Sequence, residues 1–231
     1  MVSLTDLMKR LGVGGRLVPF FKCVCVYFAA GGGAPSAAAV AAKCAPVLCL
    51  LLLLVLQHAG AANTSRGRYA RLICCGLALS ALGDALLVWP QHFVAGMAAF
   101  GAAHASYIAA FGVRCDARGA ALVLYAATLA FLTLLKPPGA LAVLVPLYGI
   151  LLATMAWRGV ARLRRRGARA PDAAAAAAAA GALLFLLSDA ILGYSLFGGP
   201  LPHKQVLVMS TYYLGQLGIA LSALETSPQT P

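Results

Sequence analysis

Acidic residues are scarce in this sequence. Its 231 residues include only 6 Asp and Glu against 18 Lys and Arg, and charged residues make up 10% of the chain. Ordinary globular domains are about a quarter charged, so this chain has too few charges to cover the surface of a soluble domain. With 62% apolar residues and a mean hydropathy of +0.88, disorder is excluded as well. The composition therefore predicts a polytopic membrane protein.

Motifs for several common chemistries are also missing. The seven cysteines follow no zinc-ligand spacing, and the composition does not fit a disulfide-framed secreted module. The chain has no G-x-S-x-G turn, no H-E-x-x-H pair and no phosphate-binding P-loop. Ser80 and Ser188 lie close to aspartates, but no histidine lies near either serine in sequence to activate it. These absences disfavour a serine hydrolase of the phospholipase type.

Eight apolar segments lie between charged or Gly/Pro-rich breaks. A helix needs about 20 apolar residues to cross a bilayer. Segments of this kind with short connections predict an all-α integral membrane protein, a bundle of about eight antiparallel transmembrane helices. Because such helices use most of the chain, residues 1–231 are predicted to form a single membrane domain. The segments are Leu17–Ala30, Lys43–Gln57, Tyr69–Trp89, Phe93–Phe111, Gly119–Leu135, Leu141–Trp157, Ala173–Phe197 and Gln205–Leu224.

The basic residues predict the orientation of this bundle. If the N-terminus is cytoplasmic, fourteen of the 18 Lys and Arg fall on the cytoplasmic side, and only Lys136 and Lys204 fall on the other. This asymmetry follows the positive-inside rule, so both termini are predicted to be cytoplasmic. The net charge of +12 is then mostly a topology signal. A nucleic-acid partner, which such a charge would suggest for a soluble protein, is not expected.

Two aspartates lie inside predicted spans, where an ionisable side chain is costly and usually functional. Asp84 follows a glycine and Asp189 follows a serine, and a small residue there lets another helix or a substrate approach. The next span in each case carries an aromatic and a polar residue four positions apart. These pairs are Phe100 with His104 and Tyr212 with Gln216. The likeness predicts two parallel four-helix repeats, residues 17–111 and 119–224, with short convergent similarity as the alternative.

Further polar residues inside the spans predict a pocket. Carboxylates, tyrosines, a histidine and lysines in one bundle favour a functional site, although interhelical hydrogen bonds or ion pairs explain several of them singly. Lys22 and Lys43 supply cations in the first two segments. The pocket residues predicted beside the two aspartates are Ser80, His104, Tyr107, Ser188, Tyr212, Tyr213 and Gln216.

These residues, in this order, resemble the YhhN-like lysoplasmalogenase family, and in particular its vertebrate transmembrane-protein-86 branch. The resemblance covers nearly the whole chain. The sequence departs from the family in the Ala/Gly-rich first connection and in the poly-Ala start of the seventh segment. The motifs that carry the resemblance are Leu17–Lys22, Lys43–Pro46, Ser80–Asp84, Phe100-x-x-x-His104-x-x-Tyr107-x-x-x-Phe111, Gly181–Asp189, Met209–Tyr213 and Tyr212-x-x-x-Gln216.

The resemblance implies hydrolysis of the vinyl ether bond of a lysoplasmalogen to a fatty aldehyde and glycerophospho-ethanolamine or -choline. Protonation of a vinyl ether gives an oxocarbenium ion, so one proton donor and one carboxylate are needed, as in glycosidases. Asp84 and Asp189 are expected to fill these two roles, in an order that the sequence leaves open. Lys22 and Lys43 are expected to bind the substrate phosphate. The other pocket residues would orient the acid and the water, and no metal or organic cofactor is expected.

The family also implies the endoplasmic reticulum membrane, with the lysoplasmalogen and membrane lipids as partners; a homo-oligomer is compatible with the sequence. The runner-up function is a proton-coupled transporter of lipids or small molecules, because proton relays use the same buried residue types. A third alternative is a structural or lipid-binding membrane protein with paired buried charges. Activity in detergent separates cleavage from transport, which needs a sealed compartment.

Overall fold

The computed structural model describes residues 13–31, 34–58, 65–112, 116–164 and 173–224. These residues form eight α-helices and two short 3₁₀ turns, Pro90–His92 and Arg162–Arg164, and contain no strand. The predicted all-α class is therefore confirmed. The helices are α1 (Val13–Ala29), α2 (Ala37–His58), α3 (Ser65–Leu86), α4 (Phe93–Phe111), α5 (Arg118–Leu132), α6 (Leu141–Ala161), α7 (Ala173–Phe197) and α8 (Lys204–Leu221).

Each predicted segment overlaps one of these helices, and the largest difference in boundaries is at α2. This helix begins at Ala37, well before the predicted start at Lys43. The Ser36 hydroxyl accepts a hydrogen bond of 3.1 Å from the backbone N–H of Ala39. Ser36 thus caps a run of alanines, which are strong helix formers. Lys43 consequently lies inside a regular helix, more than a turn from its end.

Five helical segments are long and apolar enough to cross a bilayer, which identifies an integral membrane protein. The other three helices are not among these: α5 has only 15 residues, α1 has 17, and α8 is less apolar, since it carries Lys204, Gln205 and Gln216. The total of eight spans therefore stays a prediction. The five segments are Ala37–His58, Gly67–Leu86, Pro90–Phe111, Leu141–Ala161 and Ala173–Phe197.

The predicted orientation depends partly on residues outside the described ranges. These include both termini, with Lys9 and Arg10, as well as Arg114 and the stretch 165–169. The cytoplasmic location of the termini accordingly stays a prediction.

Helices that follow one another in sequence pack side by side, except that α4 packs against α6 rather than against α5. Arg158 near the end of α6 donates a hydrogen bond to the carbonyl of Gly112 at the end of α4. We call this side of the bundle, which also carries Arg118 at the start of α5, the arginine end. At the opposite end, the backbone N–H of Lys136 donates to the carbonyl of Phe197 at 2.9 Å. Helices α2, α4, α6 and α8 begin at this opposite end.

Glycines set the closest helix contacts around the two aspartate-bearing helices. A Cβ added at Gly218 of α8 would lie 2.8 Å from the Cα of Gly181 in α7, so these backbones nearly touch. A Cβ added at Gly83 of α3 would lie 2.6 Å from the Phe100 ring of α4. Small residues of this kind are typical of helix interfaces in membranes. They fix α3 against α4 and α7 against α8.

Candidate active site

Asp84 lies in the last turn of α3 and is only 2% exposed. Its Oδ1 lies 3.6 Å from Nζ of Lys43 on α2. Its Oδ2 accepts a hydrogen bond of 2.5 Å from the Tyr212 hydroxyl on α8. A buried carboxylate is tolerated when a cation and a hydrogen-bond donor both serve it, and Asp84 has one of each.

Asp189 on α7 has a different set of partners. Its Oδ2 accepts a hydrogen bond of 2.6 Å from the Tyr148 hydroxyl on α6. The same hydroxyl lies 2.9 Å from Nε2 of His104 on α4, and this nitrogen is 3.8 Å from Asp189 Oδ2. The Asp189 side chain is 15% exposed, whereas that of His104 is fully buried. Asp189 thus has no lysine or arginine as an ion-pair partner within the described residues.

Both aspartates line one cavity of about 380 Å³. Lys43, Tyr148 and Tyr212 join the aspartates there, so these five polar side chains come from five helices. Its other walls are mainly leucine, phenylalanine and alanine side chains from α5, α6 and α7. Ligand pockets commonly have this character, a few convergent polar groups in an apolar cavity.

A second cavity of about 770 Å³ lies at the end of the bundle opposite the arginine end. We call it the vestibule. It shares eight lining residues with the aspartate cavity, including Lys43, so the two volumes adjoin. Its other polar side chains are those of Tyr27, Ser36, Ser195, Lys204 and Gln205.

Three of the predicted pocket residues form a buried layer behind the cavity. The Tyr107 hydroxyl donates a hydrogen bond of 2.8 Å to Gln216 Oε1 on α8. It also lies 3.5 Å from the Ser80 hydroxyl on α3. None of the three lines the aspartate cavity. They join α3, α4 and α8 and hold the helices that carry Asp84, His104 and Tyr212.

Two further predicted residues support the site through backbone atoms. The Tyr213 hydroxyl donates a hydrogen bond of 2.9 Å to the carbonyl of Lys43, which steadies the turn that bears this lysine. The Ser188 hydroxyl donates at 2.9 Å to the carbonyl of Val208 on α8. Ser188 lines the cavity, but its hydroxyl is used in a helix contact.

Lys22 does not join the others. It is exposed on α1 and lines neither cavity. Its neighbours Leu17, Phe20 and Tyr27 are buried and mark the inward face of α1. With 3.6 residues per turn, Lys22 falls well away from that face.

Tyr148 is the functional candidate that sequence reasoning missed. It is a single tyrosine in the apolar helix α6, two residues after Pro146. No other polar side chain lies at helical spacing on its own helix to draw attention to it, and both of its partners lie on other helices. Lys204 was assigned only to topology, and its place at the vestibule was likewise missed.

The arrangement suits acid–base chemistry. One carboxylate is paired with a lysine, and the other is hydrogen-bonded by a tyrosine that also contacts a histidine. Carboxylates kept in unlike environments commonly divide the roles of acid and base. Among the described residues, no three His, Cys, Asp or Glu side chains lie close enough to hold a metal ion.

Comparison with known proteins places the chain among related membrane proteins. A model of the YhhN family matches residues 38–223. The chain is 39% identical over 226 residues to lysoplasmalogenase TMEM86B of Sus scrofa, covering 96% of this chain and 92% of that protein. It is 39% identical over 232 residues to lysoplasmalogenase TMEM86A of Homo sapiens, covering 98% and 95%. No solved structure matches the chain.

Proposed function

We infer the activity of this chain from the premise that it belongs to the YhhN family, and we propose that it is a lysoplasmalogenase. Its relatives in pig and human carry that name. The reaction is hydrolysis of the vinyl ether bond of a lysoplasmalogen. The observation that carries the proposal is the pair Asp84 and Asp189 on one largely apolar cavity.

In the proposed mechanism Asp189 is the proton donor. It transfers a proton to the β-carbon of the vinyl ether, and the α-carbon becomes an oxocarbenium centre. Asp189 fits this role because its partners are Tyr148 and His104, and no lysine or arginine of the described residues pairs with it. Its partial exposure leaves the carboxyl accessible from the cavity.

Asp84 is the proposed base. Its ion pair with Lys43 keeps it negative, so it stabilises the developing cation and accepts a proton from the attacking water. The resulting hemiacetal breaks its bond to the glycerol oxygen, and aldehyde and glycerol hydroxyl separate. Asp84 ends the cycle protonated and Asp189 ionised, and exchange with water restores both.

The apolar walls of the cavity are proposed to hold the alkenyl chain. Lys43 lies between the two cavities, so it is also proposed to contact the substrate phosphate. Lys22 is left out of this role, because it lines neither cavity.

The direct test is aldehyde release from a lysoplasmalogen by purified protein in detergent. Asp84→Asn and Asp189→Asn are each expected to abolish release while the protein stays folded. Asp116→Asn is the matched control, because Asp116 is an exposed carboxylate that lines neither cavity. Activity like that of wild type in either site variant would reject the mechanism. Turnover in detergent would also exclude transport as the sole function.

Transport stays the second candidate because of one observation. The Asp189, Tyr148 and His104 side chains form a continuous, partly buried chain of contacts, and such chains serve proton relays in transporters. The absence of aldehyde release, together with proton-dependent lipid movement in vesicles, would favour it.

We also propose that the domain consists of two repeats, residues 17–111 and 119–224. Asp84 is served by α2 of its own half and α8 of the other, and Asp189 by α6 of its own half and α4 of the other. Gly76 and Gly181 each precede an aspartate by eight positions. Eight spans, cytoplasmic termini and the endoplasmic reticulum membrane belong to the same proposal, and a tagged chain in fractionated cells tests its location.

A further inference from the structure

The vestibule differs from the aspartate cavity in its charge. Lys43 and Lys204 line it, and none of its described lining residues is a carboxylate. Lys204 is exposed at the first residue of α8, and no acidic side chain lies within ion-pair distance of it among the described residues. The vestibule is therefore an electropositive opening.

Four helices begin at this opening, among them α2 and α8. Ser36, Ala38 and Ala39 at the start of α2 line the vestibule, as do Lys204 and Gln205 at the start of α8. Helix N-termini carry partial positive charge and favour anions. They add to the charge of Lys204, the vestibule lysine that is not paired with a carboxylate among the described residues. The Gln205 side-chain amide, which donates to the Tyr27 hydroxyl at 3.3 Å, provides a further polar group.

Both aspartates lie close to the vestibule end of their helices, so a substrate bound between them can extend into the vestibule. Asp84 lies in the last turn of α3, and Asp189 is eight residues from the end of α7, or about 12 Å along the helix. A lysolipid whose ether bond lies between these carboxylates has its phosphate on the far side of a three-carbon glycerol. With the hydrocarbon chain in the apolar cavity, that phosphate points into the vestibule.

We propose that the vestibule is a binding site for the phosphodiester headgroup of a single-chain lipid, with Lys204 at its rim as a specificity-determining residue. The proposal rests on the proposed function for the position of the ether bond. It adds a second recognition element: the lipid phosphate binds in the vestibule and the lipid hydrocarbon chain binds in the apolar cavity.

A binding assay tests this site without any need for cleavage. The probes are 1-O-hexadecyl-glycerophosphoethanolamine, whose saturated ether is not a vinyl ether, and 1-O-hexadecylglycerol, which lacks the phosphate. Both are titrated into the full chain in detergent. Lys204→Glu is expected to weaken binding of the phosphate-bearing probe by about tenfold, because repulsion replaces attraction. Binding of the alkylglycerol should change less than about twofold, since it carries no charge.

Lys136→Glu is the matched control. It makes the same charge change at the same end of the bundle, but Lys136 lines neither cavity, so both affinities should stay as in wild type. Equal losses for both probes, no loss for either, or an equal effect of Lys136→Glu would overturn the proposal. Displacement of the lipid probe by inorganic phosphate as effective as that by glycerophosphoethanolamine would indicate a site for free anions and would overturn it too.

These outcomes are separate from those of the proposed function. If the protein fails to release aldehyde but binds the two probes as expected, the headgroup site stands and the cleavage proposal falls. If it cleaves lysoplasmalogen and Lys204→Glu has no selective effect on binding, the cleavage proposal stands and the headgroup site falls.

Discussion

The Tyr148 hydroxyl donates a hydrogen bond of 2.6 Å to Asp189 Oδ2 and lies 2.9 Å from Nε2 of His104. Tyr148 therefore links the proposed acid to a fully buried imidazole and fixes the rotamer of the carboxyl. The link crosses α4, α6 and α7, so it depends on how these three helices pack.

Tyr148→Phe is expected to lower kcat with little change in KM. It removes one hydrogen bond to a charged or acidic group, worth about 1.5–3 kcal/mol, which corresponds to roughly 10- to 100-fold in rate if the bond acts in the transition state. Initial rates of aldehyde release across a range of substrate concentrations separate the two parameters.

Tyr125→Phe is the matched control for this change. The Tyr125 hydroxyl bonds Thr154 at 2.7 Å, also between helices, but Tyr125 does not line the aspartate cavity. If both variants lose activity to the same extent, the loss reflects general helix packing and the positioning role of Tyr148 is wrong.

Lys43→Met is expected to destabilise the folded protein, because it leaves the Asp84 carboxylate buried without its cation. Removing one partner of a buried ion pair typically costs about 3 kcal/mol or more. Thermal unfolding in detergent measures the loss as a lower Tm. The double variant Lys43→Met/Asp84→Asn removes both charges and is expected to recover much of that Tm while staying inactive.

A double variant as unstable as Lys43→Met would contradict this account, since the penalty would then not come from the unpaired carboxylate. Full activity of Lys43→Met would contradict the assignment of Asp84 as an ionised base.

The positions of the helices could be predicted because apolar runs, prolines and clustered charges mark them directly in the sequence. The inward position of Asp84 and Asp189 was predictable for a similar reason, since a carboxylate facing lipid has no compensation. The outward position of Lys22 could also have been predicted, because the spacing of Leu17, Phe20 and Tyr27 defines the buried face of α1.

The partners of each aspartate could not be predicted from the sequence. Tyr212 meets Asp84 across 128 positions and Tyr148 meets Asp189 across 41. Both contacts depend on the relative rotation of packed helices, which the periodicity of a single helix does not specify. The vestibule also escaped prediction, because it is formed by the ends of several helices rather than by one motif.

Gly218→Ala is expected to lower stability, because its added methyl would lie 2.8 Å from the Cα of Gly181, where neither backbone can move easily. Overpacking of this kind costs about 1–3 kcal/mol. Gly119→Ala is the control, since nothing lies within 4 Å of an added Cβ there, and alanine favours a helix. The two variants are compared by Tm in detergent. A Tm for Gly218→Ala at or above that of Gly119→Ala would mean that the close α7–α8 contact does not limit the size of the residue at position 218.

The two ends of the bundle are expected to face opposite sides of the membrane, with the vestibule on the non-cytoplasmic side. Arg118 and Lys204 are exposed and lie at the arginine end and the vestibule end. Single cysteines at these positions, in a chain with its natural cysteines replaced, can be labelled by a membrane-impermeant maleimide in sealed endoplasmic reticulum vesicles that expose the cytoplasmic face. Arg118→Cys should react at once, and Lys204→Cys only after permeabilisation, because the positive-inside rule assigns the arginines to the cytoplasm. Labelling of Lys204→Cys in sealed vesicles would reverse the orientation if Arg118→Cys were protected, and it would reject a membrane-spanning bundle between these ends if both reacted. In either orientation of the bundle, the glycerophospho product of the proposed reaction would be released on the side of the membrane that Lys204 faces.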